Sequence, residues 1–416
     1  MKICVFTLGC KVNFYESDSL INDLKNLGYK VTNKLEFADV YVLNTCCVTN
    51  EGERKSRQLV ARCRHFNENA RIIVCGCASQ KNAAQFEKLN VNVVLGNANK
   101  KEVVNLINCD HFVGCNVLPR EYVDNFMSSS QRVRAYLKVQ EGCNNFCSYC
   151  IIPFTRGRSR SRGLESCLNE AIKLSETCKE IVLTGINLSD YKPSLIELLE
   201  KLSNISARIR IGSLEVNVIT QDFLERLSKI KNFCPQFHLS LQSGSTKVLK
   251  EMNRHYSKEE YLEKVELIRK YFPFASITTD LIVGFPTETE EDFLESLDTL
   301  EKSKFFMVHC FPYSKRDGTK ASFMPQILNS EKKRREKIVF TRAEKLFSDY
   351  ILFLKNNNIT QQVLIEEKCE VDGQQYWVGH SELFVKCYIT FDEKLKENDI
   401  VNAKIKEIFN DGVKCV

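Results

Sequence analysis

From Arg134 onward, strand-like apolar runs alternate with helical stretches six times over, and few folds accommodate that serial pattern. The candidate strands span 134–140, 180–185, 208–214, 237–241, 277–283 and 306–311, with helical stretches such as 166–175, 194–202, 258–271 and 289–302 between them. A parallel strand must return through a crossover, so six such units predict a partial (β/α)6 barrel. The alternation begins earlier still. Strands are expected over 3–8, 40–43, 71–74 and 91–95, with helices over 16–27 and 52–66, which favours a doubly wound parallel sheet. Ser128-Ser129-Ser130 reads as a linker between these units. After Asn356-Asn357-Asn358 the pattern shifts to short alternating runs at 362–366, 376–378, 383–390 and 400–409, as in a small β-barrel. The expected fold is α/β, with units over 1–115, 130–355 and 356–416.

Nineteen cysteines in 416 residues call for an explanation. The apolar run that opens the chain is too short for a signal-peptide core, and no segment reaches the roughly 20 apolar residues of a membrane span. The expected location is therefore cytoplasmic, with no membrane partner, where thiolate ligation is a better reading than disulfides. A net charge of +6 permits a nucleic-acid partner without demanding one.

The densest signal is Glu141-Gly142-Cys143-Asn144-Asn145-Phe146-Cys147-Ser148-Tyr149-Cys150, directly after the first barrel strand. Three thiolates hold three irons of a [4Fe–4S] cube and leave the fourth open. S-adenosylmethionine can chelate that iron through its amino and carboxylate groups. An electron then cleaves its S–C bond, giving a radical able to abstract an unactivated hydrogen. Zinc is the alternative, but it generally takes four ligands, and no His or fourth Cys stands near in sequence.

A second set follows the first three strands: Cys10 in Thr7-Leu8-Gly9-Cys10-Lys11-Val12-Asn13, Cys46 in Asn44-Thr45-Cys46, and Cys77 in Cys75-Gly76-Cys77. The C-terminal ends of parallel strands share one edge, so these three can converge. Cys47 and Cys75 are rivals for two of the places, because Cys75 and Cys77 would point to one face of a strand. Buried cysteines acting only as small hydrophobes are the plain alternative. Further along, Gly185, Ser213 and Glu215 end barrel strands where S-adenosylmethionine could be met, and His238 reads as a strand residue satisfied in the core. Arg156, Arg158, Arg160 and Arg162 alternate just after the cysteine loop and could neutralise phosphates. The run Lys332-Lys333-Arg334-Arg335 reads as a solvated helix face.

These motifs, in this order, resemble the radical methylthiotransferases over nearly the whole chain. Ile151-Ile152-Pro153, Leu183-Thr184-Gly185-Ile186 and Phe311-Pro312-Tyr313-Ser314-Lys315-Arg316 are most similar to the branch acting on N6-threonylcarbamoyladenosine in tRNA. The resemblance implies an N-terminal methylthiotransferase domain, a radical SAM barrel and a TRAM-like barrel. It also implies two [4Fe–4S] clusters, an auxiliary one on Cys10, Cys46 and Cys77 and a catalytic one on Cys143, Cys147 and Cys150. Two S-adenosylmethionine molecules would serve the transfer of a methylthio group to adenine C2, next to the anticodon. The implied partners are the tRNA anticodon stem-loop and an electron donor such as flavodoxin or ferredoxin, with the chain acting as a monomer. Both clusters must face one pocket, so the two domains should meet at their strand C-terminal edges. The isopentenyladenosine and ribosomal-protein enzymes of the family, and a non-catalytic zinc-stabilised RNA-binding protein, are the alternatives.

Overall fold

The computed structural model describes residues 1–115, 118–124, 127 and 133–416, so the expected Ser128-Ser129-Ser130 linker lies outside the described residues. Strands β1 (Lys2–Thr7), β2 (Lys30–Thr32), β3 (Val40–Thr45), β4 (Arg71–Gly76), β5 (Val93–Leu95) and β6 (Phe112–Gly114) form one parallel sheet, in the order β2-β1-β3-β4-β5-β6. Alternate residues leave a strand on opposite faces, and here both faces are covered. Ile3, Val5 and Val42 pack with Leu20, Ile21 and Leu24 of α1 (Lys11–Asn26). Tyr41, Leu43 and Ile72 pack with Leu59, Val60 and Cys63 of α2 (Asn50–Phe66). Helices α3 (Cys77–Lys81) and α4 (Ala83–Glu87) follow β4. The strand order reverses between β1 and β3, which is where open α/β sheets take their ligands.

The second unit contains β7 (Arg134–Lys138), β8 (Gln140–Glu141), β9 (Arg160–Ser161), β10 (Glu180–Thr184), β11 (Arg208–Ile211), β12 (Ser213–Leu214), β13 (Gln236–Leu239), β14 (Ser276–Val283) and β15 (Met307–Pro312). Apart from the antiparallel β8–β9 ribbon, these strands pair in parallel as β11-β10-β7 and β12-β13-β14-β15, a partial barrel with β7 and β15 at its edges. The strand expected over 208–214 is split. Its first half pairs with β10 and its second with β13, and Gly212 between them passes so close that a Cβ would lie 2.8 Å from the Leu183 carbonyl oxygen. Crossover helices α5 (Ile152–Arg156), α6 (Leu164–Ser175), α7 (Leu195–Leu202), α8 (Gln221–Leu227), α9 (Thr246–Glu251), α10 (Lys258–Tyr271) and α11 (Glu290–Ser303) precede the long α12 (Asn329–Asn356).

α12 corrects one expectation. Lys333 and Arg334 are exposed, but Lys332 and Arg335 are buried. Lys332 Nζ donates to the Tyr313 carbonyl at 3.1 Å and Arg335 Nη1 to Glu288 at 2.6 Å, because the helix lies against β15 and the start of α11. Beyond it, β16 (Thr360–Val371), β17 (Gln374–His380), β18 (Lys386–Thr390), β19 (Ile400–Phe409) and β20 (Gly412–Cys415) close into a barrel around Val363, Trp377 and Val385.

Glu180 fastens this terminal barrel to the larger one. Its carboxylate accepts from Arg208 Nε at 2.7 Å and from Arg210 Nε at 2.9 Å. The remaining N–H groups of both arginines donate to the carbonyls of Gln362, His380, Ser381 and Glu382. Burial alone would raise the Glu180 carboxyl, but Arg210 and Arg208 outweigh it and hold it at about 2. Glu180→Gln leaves two buried guanidiniums short of a counter-charge and is expected to cost about 3 kcal/mol in urea unfolding. Because the folded pKa is the lower one, the contribution is present above the ordinary value of 4.5 and is lost as pH falls towards about 2. The variant should therefore show a flatter loss of stability across that window.

Candidate active site

Cys10, Cys46 and Cys77 follow β1, β3 and β4 and lie along the C-terminal edge of the first sheet, beside its switch point. Cys10 is the exposed N-cap of α1, whereas Cys46 and Cys77 are buried. Asn13 draws the loops together: its Nδ2 donates to the carbonyls of Leu8 at 2.7 Å and Thr45 at 3.1 Å. Gly9 has φ +102°, and a Cβ there would sit 2.8 Å from Cys46 Cβ, so glycine is what lets the first loop reach the second. Each cysteine is separated from its rival. Cys47 packs into the apolar core under α2, while Cys46 Sγ faces Gly9. Cys75 still belongs to β4 and faces Ile3, Val5 and Leu20. Gly76, at φ +107°, then turns the chain, and Cys77 emerges on the opposite face at the start of α3. The rule that residues two apart share a face ends where the strand does.

The loop after β8 carries Cys143, Cys147 and Cys150. Backbone bonds fix it at several points: Cys143 N to Gly157 O at 3.1 Å, Ser148 N to Met252 O at 3.0 Å, and Ala321 N to Ser148 O at 2.8 Å. Two of its sulfurs meet N–H donors, Cys143 from the Asn145 amide at 3.5 Å and Cys147 from Arg254 Nη1 at 3.6 Å. Burial pushes the Cys143 thiol up to about 11 and the Cys150 thiol to about 12, so ligation there must release protons. Asn145 lies inside the cysteine motif itself, whereas Arg254 has no spacing relation to the cysteines and nothing in the sequence singles it out.

The other candidates divide. Glu215 is drawn into this neighbourhood, bonded by Asn145 Nδ2 and ion-paired with Arg254 at 2.9 Å. Ser213 is exposed at the start of β12. Gly185 answers to the protein's own packing, since a Cβ there would lie 2.9 Å from Gln140 Cβ. His238 is satisfied as expected, with Nδ1 at 2.9 Å from Thr278 Oγ1 and Nε2 at 3.1 Å from Asp280.

The arginine run requires correction. Only Arg158 is exposed, its guanidinium 4.3 Å from the centre of the Phe146 ring. Arg156, Arg160 and Arg162 are buried. Arg162 pairs with Glu170, which also accepts from Tyr15 of α1 at 3.0 Å, and Arg160 donates to the carbonyls of Arg156 and Arg158. Arg156 reaches Glu141, Glu16, Asn13 and Cys77. Strand alternation does not govern the run, because Arg156 ends a helix and only Arg160 lies in a strand; Arg156 and Arg162 are covered by α1 of the first unit rather than by solvent.

The two units meet at their strand C-terminal edges, as the resemblance implied. On one side Asn97 Nδ2 donates to Thr155 O at 2.8 Å. On the other, Arg316 Nη1 donates to Cys47 O at 2.9 Å and Arg316 Nη2 to Glu53 at 2.8 Å. Between the loop of Cys46 and that of Cys143–Cys150 opens a cleft of about 210 Å³, lined by residues that include Thr49, Tyr149, Gln242, Asp280, Phe311 and Arg316. Among the described residues no group of three or more His, Cys, Asp or Glu side chains is gathered as metal ligands are. N–H groups aimed at the Cys143, Cys147 and Cys77 sulfurs are partners that a thiolate-ligated iron–sulfur group accepts.

Residues 137–300 match the family model described as the radical SAM superfamily, and residues 2–96 that of uncharacterized protein family UPF0004. The chain is 37% identical over 393 residues to the threonylcarbamoyladenosine tRNA methylthiotransferase MtaB of Aquifex aeolicus (strain VF5), covering 90% of this chain and 95% of that protein. It is 33% identical over 428 residues to a tRNA-2-methylthio-N(6)-dimethylallyladenosine synthase of Helicobacter pylori (strain HPAG1), covering 97% of each. Among solved structures, the radical S-adenosylmethionine methyltransferase TsrM of Kitasatospora setae matches in fold, with a TM-score of 0.57 and 13% identity over 77% of each chain. No described helix is long and apolar enough to cross a membrane.

The close approach at Gly9 is open to test. Gly9→Ala puts alanine at positive φ against Cys46 and should destabilise the first unit by about 1–3 kcal/mol. The measurement is urea unfolding, paired with iron analysis of the reconstituted protein, in which the variant should hold less iron.

Proposed function

This chain belongs to the radical SAM tRNA methylthiotransferase family, and on that premise we propose that it methylthiolates C2 of N6-threonylcarbamoyladenosine next to the anticodon. In this reading Cys143, Cys147 and Cys150 hold one [4Fe–4S] cluster and Cys10, Cys46 and Cys77 a second. The methylthiotransferase, radical SAM and TRAM-like domains span 1–115, 130–355 and 356–416. When bound, such clusters supply the electron for cleaving S-adenosylmethionine and a site for the transferred sulfur. The observation that supports the reading is that one cleft is lined both by Val48 and Thr49, just after Cys46, and by Tyr149, between Cys147 and Cys150.

The chain's own residues supply recognition. Arg254 and Glu215 put a cation and a carboxylate beside the Cys147 sulfur, the pair of partners that the carboxylate and amino groups of an amino acid need. Ser213, exposed nearby, can meet a ribose hydroxyl. A cleft of about 210 Å³ is on the scale of a base rather than a helix, so the target adenine would leave its stack to enter. Arg158 and the terminal barrel remain for phosphate and shape contacts with the tRNA.

Charge supports the choice of substrate. A threonylcarbamoyl group carries a carboxylate, and an isopentenyl group does not. Lys11, next to Cys10, is exposed and makes no ion pair among the described residues. The protein around it nonetheless disfavours the charged form, chiefly by burial and then by Arg134 and Arg210, while Glu180 and Asp280 favour it; all four lie on barrel strands.

Mass spectrometry of tRNA nucleosides, with and without the gene, is the test. Loss of 2-methylthio-N6-threonylcarbamoyladenosine with accumulation of its unthiolated precursor is expected. Loss of the isopentenyl derivative instead would overturn the substrate. In vitro, Cys46→Ala should still cleave S-adenosylmethionine yet form no methylthio product. Lys11→Met should lower kcat/KM for the threonylcarbamoyl substrate about tenfold or more, the worth of a hydrogen bond to a charged group.

A further inference from the structure

Arg156 is 1% exposed and all of its donor groups are engaged. Nε donates to Cys77 Sγ at 3.2 Å, Nη1 to Glu141 at 2.8 and 3.0 Å and to Glu16 at 3.2 Å, and Nη2 to Asn13 Oδ1 at 2.5 Å. It ends α5, which follows the Cys143–Cys150 loop, and its partner Glu141 stands two residues before Cys143. One guanidinium thus joins the frame of one cysteine loop to a sulfur of the other triad.

The charges around it do not cancel. Glu16 is met by Lys100, Lys138 and Arg156, and Glu141 by Lys138 and Arg156. Three buried cations therefore face two buried carboxylates, and Arg160 adds a fourth cation bonded only to carbonyls. Uncompensated buried charge is costly, so the network needs a further anion. The remaining partner on Arg156 is the Cys77 sulfur, which supplies a negative charge when it is a metal-bound thiolate. A second N–H, from Asn97 Nδ2 at 3.6 Å, points at the same atom.

We propose that Arg156 is a positioning residue for the N-terminal iron–sulfur group: its N–H holds the Cys77 thiolate and its charge stabilises the electron-rich state of that group. This rests on the reading that Cys10, Cys46 and Cys77 ligate a cluster. Hydrogen bonds to sulfur and nearby positive charge favour the reduced form of such a cluster, and their removal favours the oxidised one.

The test uses the full-length chain with Cys143, Cys147 and Cys150 all changed to Ala, so that only the N-terminal group can load. Its midpoint potential is measured by redox titration followed by electron paramagnetic resonance, alone and with Arg156→Gln or Arg156→Lys added. Both changes should shift the potential to more negative values, Gln more than Lys, since Lys keeps the charge but not the planar fork. Should Arg156→Gln fail to fold, Arg156→Lys still carries the comparison. A loaded cluster whose potential is unmoved by either change would overturn the proposal. So would an Arg156→Gln chain that loses tRNA affinity at unchanged potential, because that returns the arginine to a phosphate role. A parent triple variant that takes up no iron and sulfide would overturn the two-cluster reading itself, and the proposal with it.

Discussion

Glu16 of α1 lies buried at the junction of the first two units, under Arg156, Lys100 and Lys138. Burial would raise its carboxyl, yet those three cations bring it well below the usual carboxylate range. An ion network of this kind adds little net stability over a well-packed apolar contact, but leaving any member unpaired is expensive. Its members come from α1, the turn at Lys100–Val104, β7, β8 and α5, so these pairs form in one register of the two units only. That register sets the C-terminal edge of the doubly wound sheet against the cysteine loop of the barrel. Tyr15, Glu170 and Arg162 repeat the device alongside it.

The cleft follows from this docking. The partial barrel has free edges at β7 and β15, and the first unit contacts both sides, through α1 and Asn97 at one and through Asn50 and Glu53 with Arg316 at the other. The switch point of one sheet and the strand ends of the other, each a customary ligand site in its own fold, then share a space. Radical chemistry on a C–H bond needs such an enclosed meeting place, because a reactive intermediate exposed to solvent is lost to side reactions.

Much of this was legible in the sequence. Serial alternation of strands and helices fixes both parallel units, and the change to short alternating runs after Asn356-Asn357-Asn358 marks the terminal barrel. Other features lie beyond periodicity. The three-residue strands β2 and β6 are too short to show a pattern, and the break at Gly212 reflects a change of pairing partner. Arg156, Arg160 and Arg162 look like a surface run because sequence gives spacing but not what covers a face; Lys332 and Arg335 mislead in the same way. Arg254 matters through a long-range contact that no local signal encodes, and Asn145, though inside the cysteine motif, gains its partner Glu215 from a distant strand end.

The central claim is that the two cysteine triads load separate clusters that face each other across one cleft. Electron paramagnetic resonance of the reconstituted, reduced full-length protein tests it most directly. Two reduced clusters on opposite sides of a single cleft should broaden each other's signals, and the broadening should vanish when either triad is removed. A spectrum equal to the sum of the two single-triad variants, or one cluster accompanied by zinc, would contradict the account.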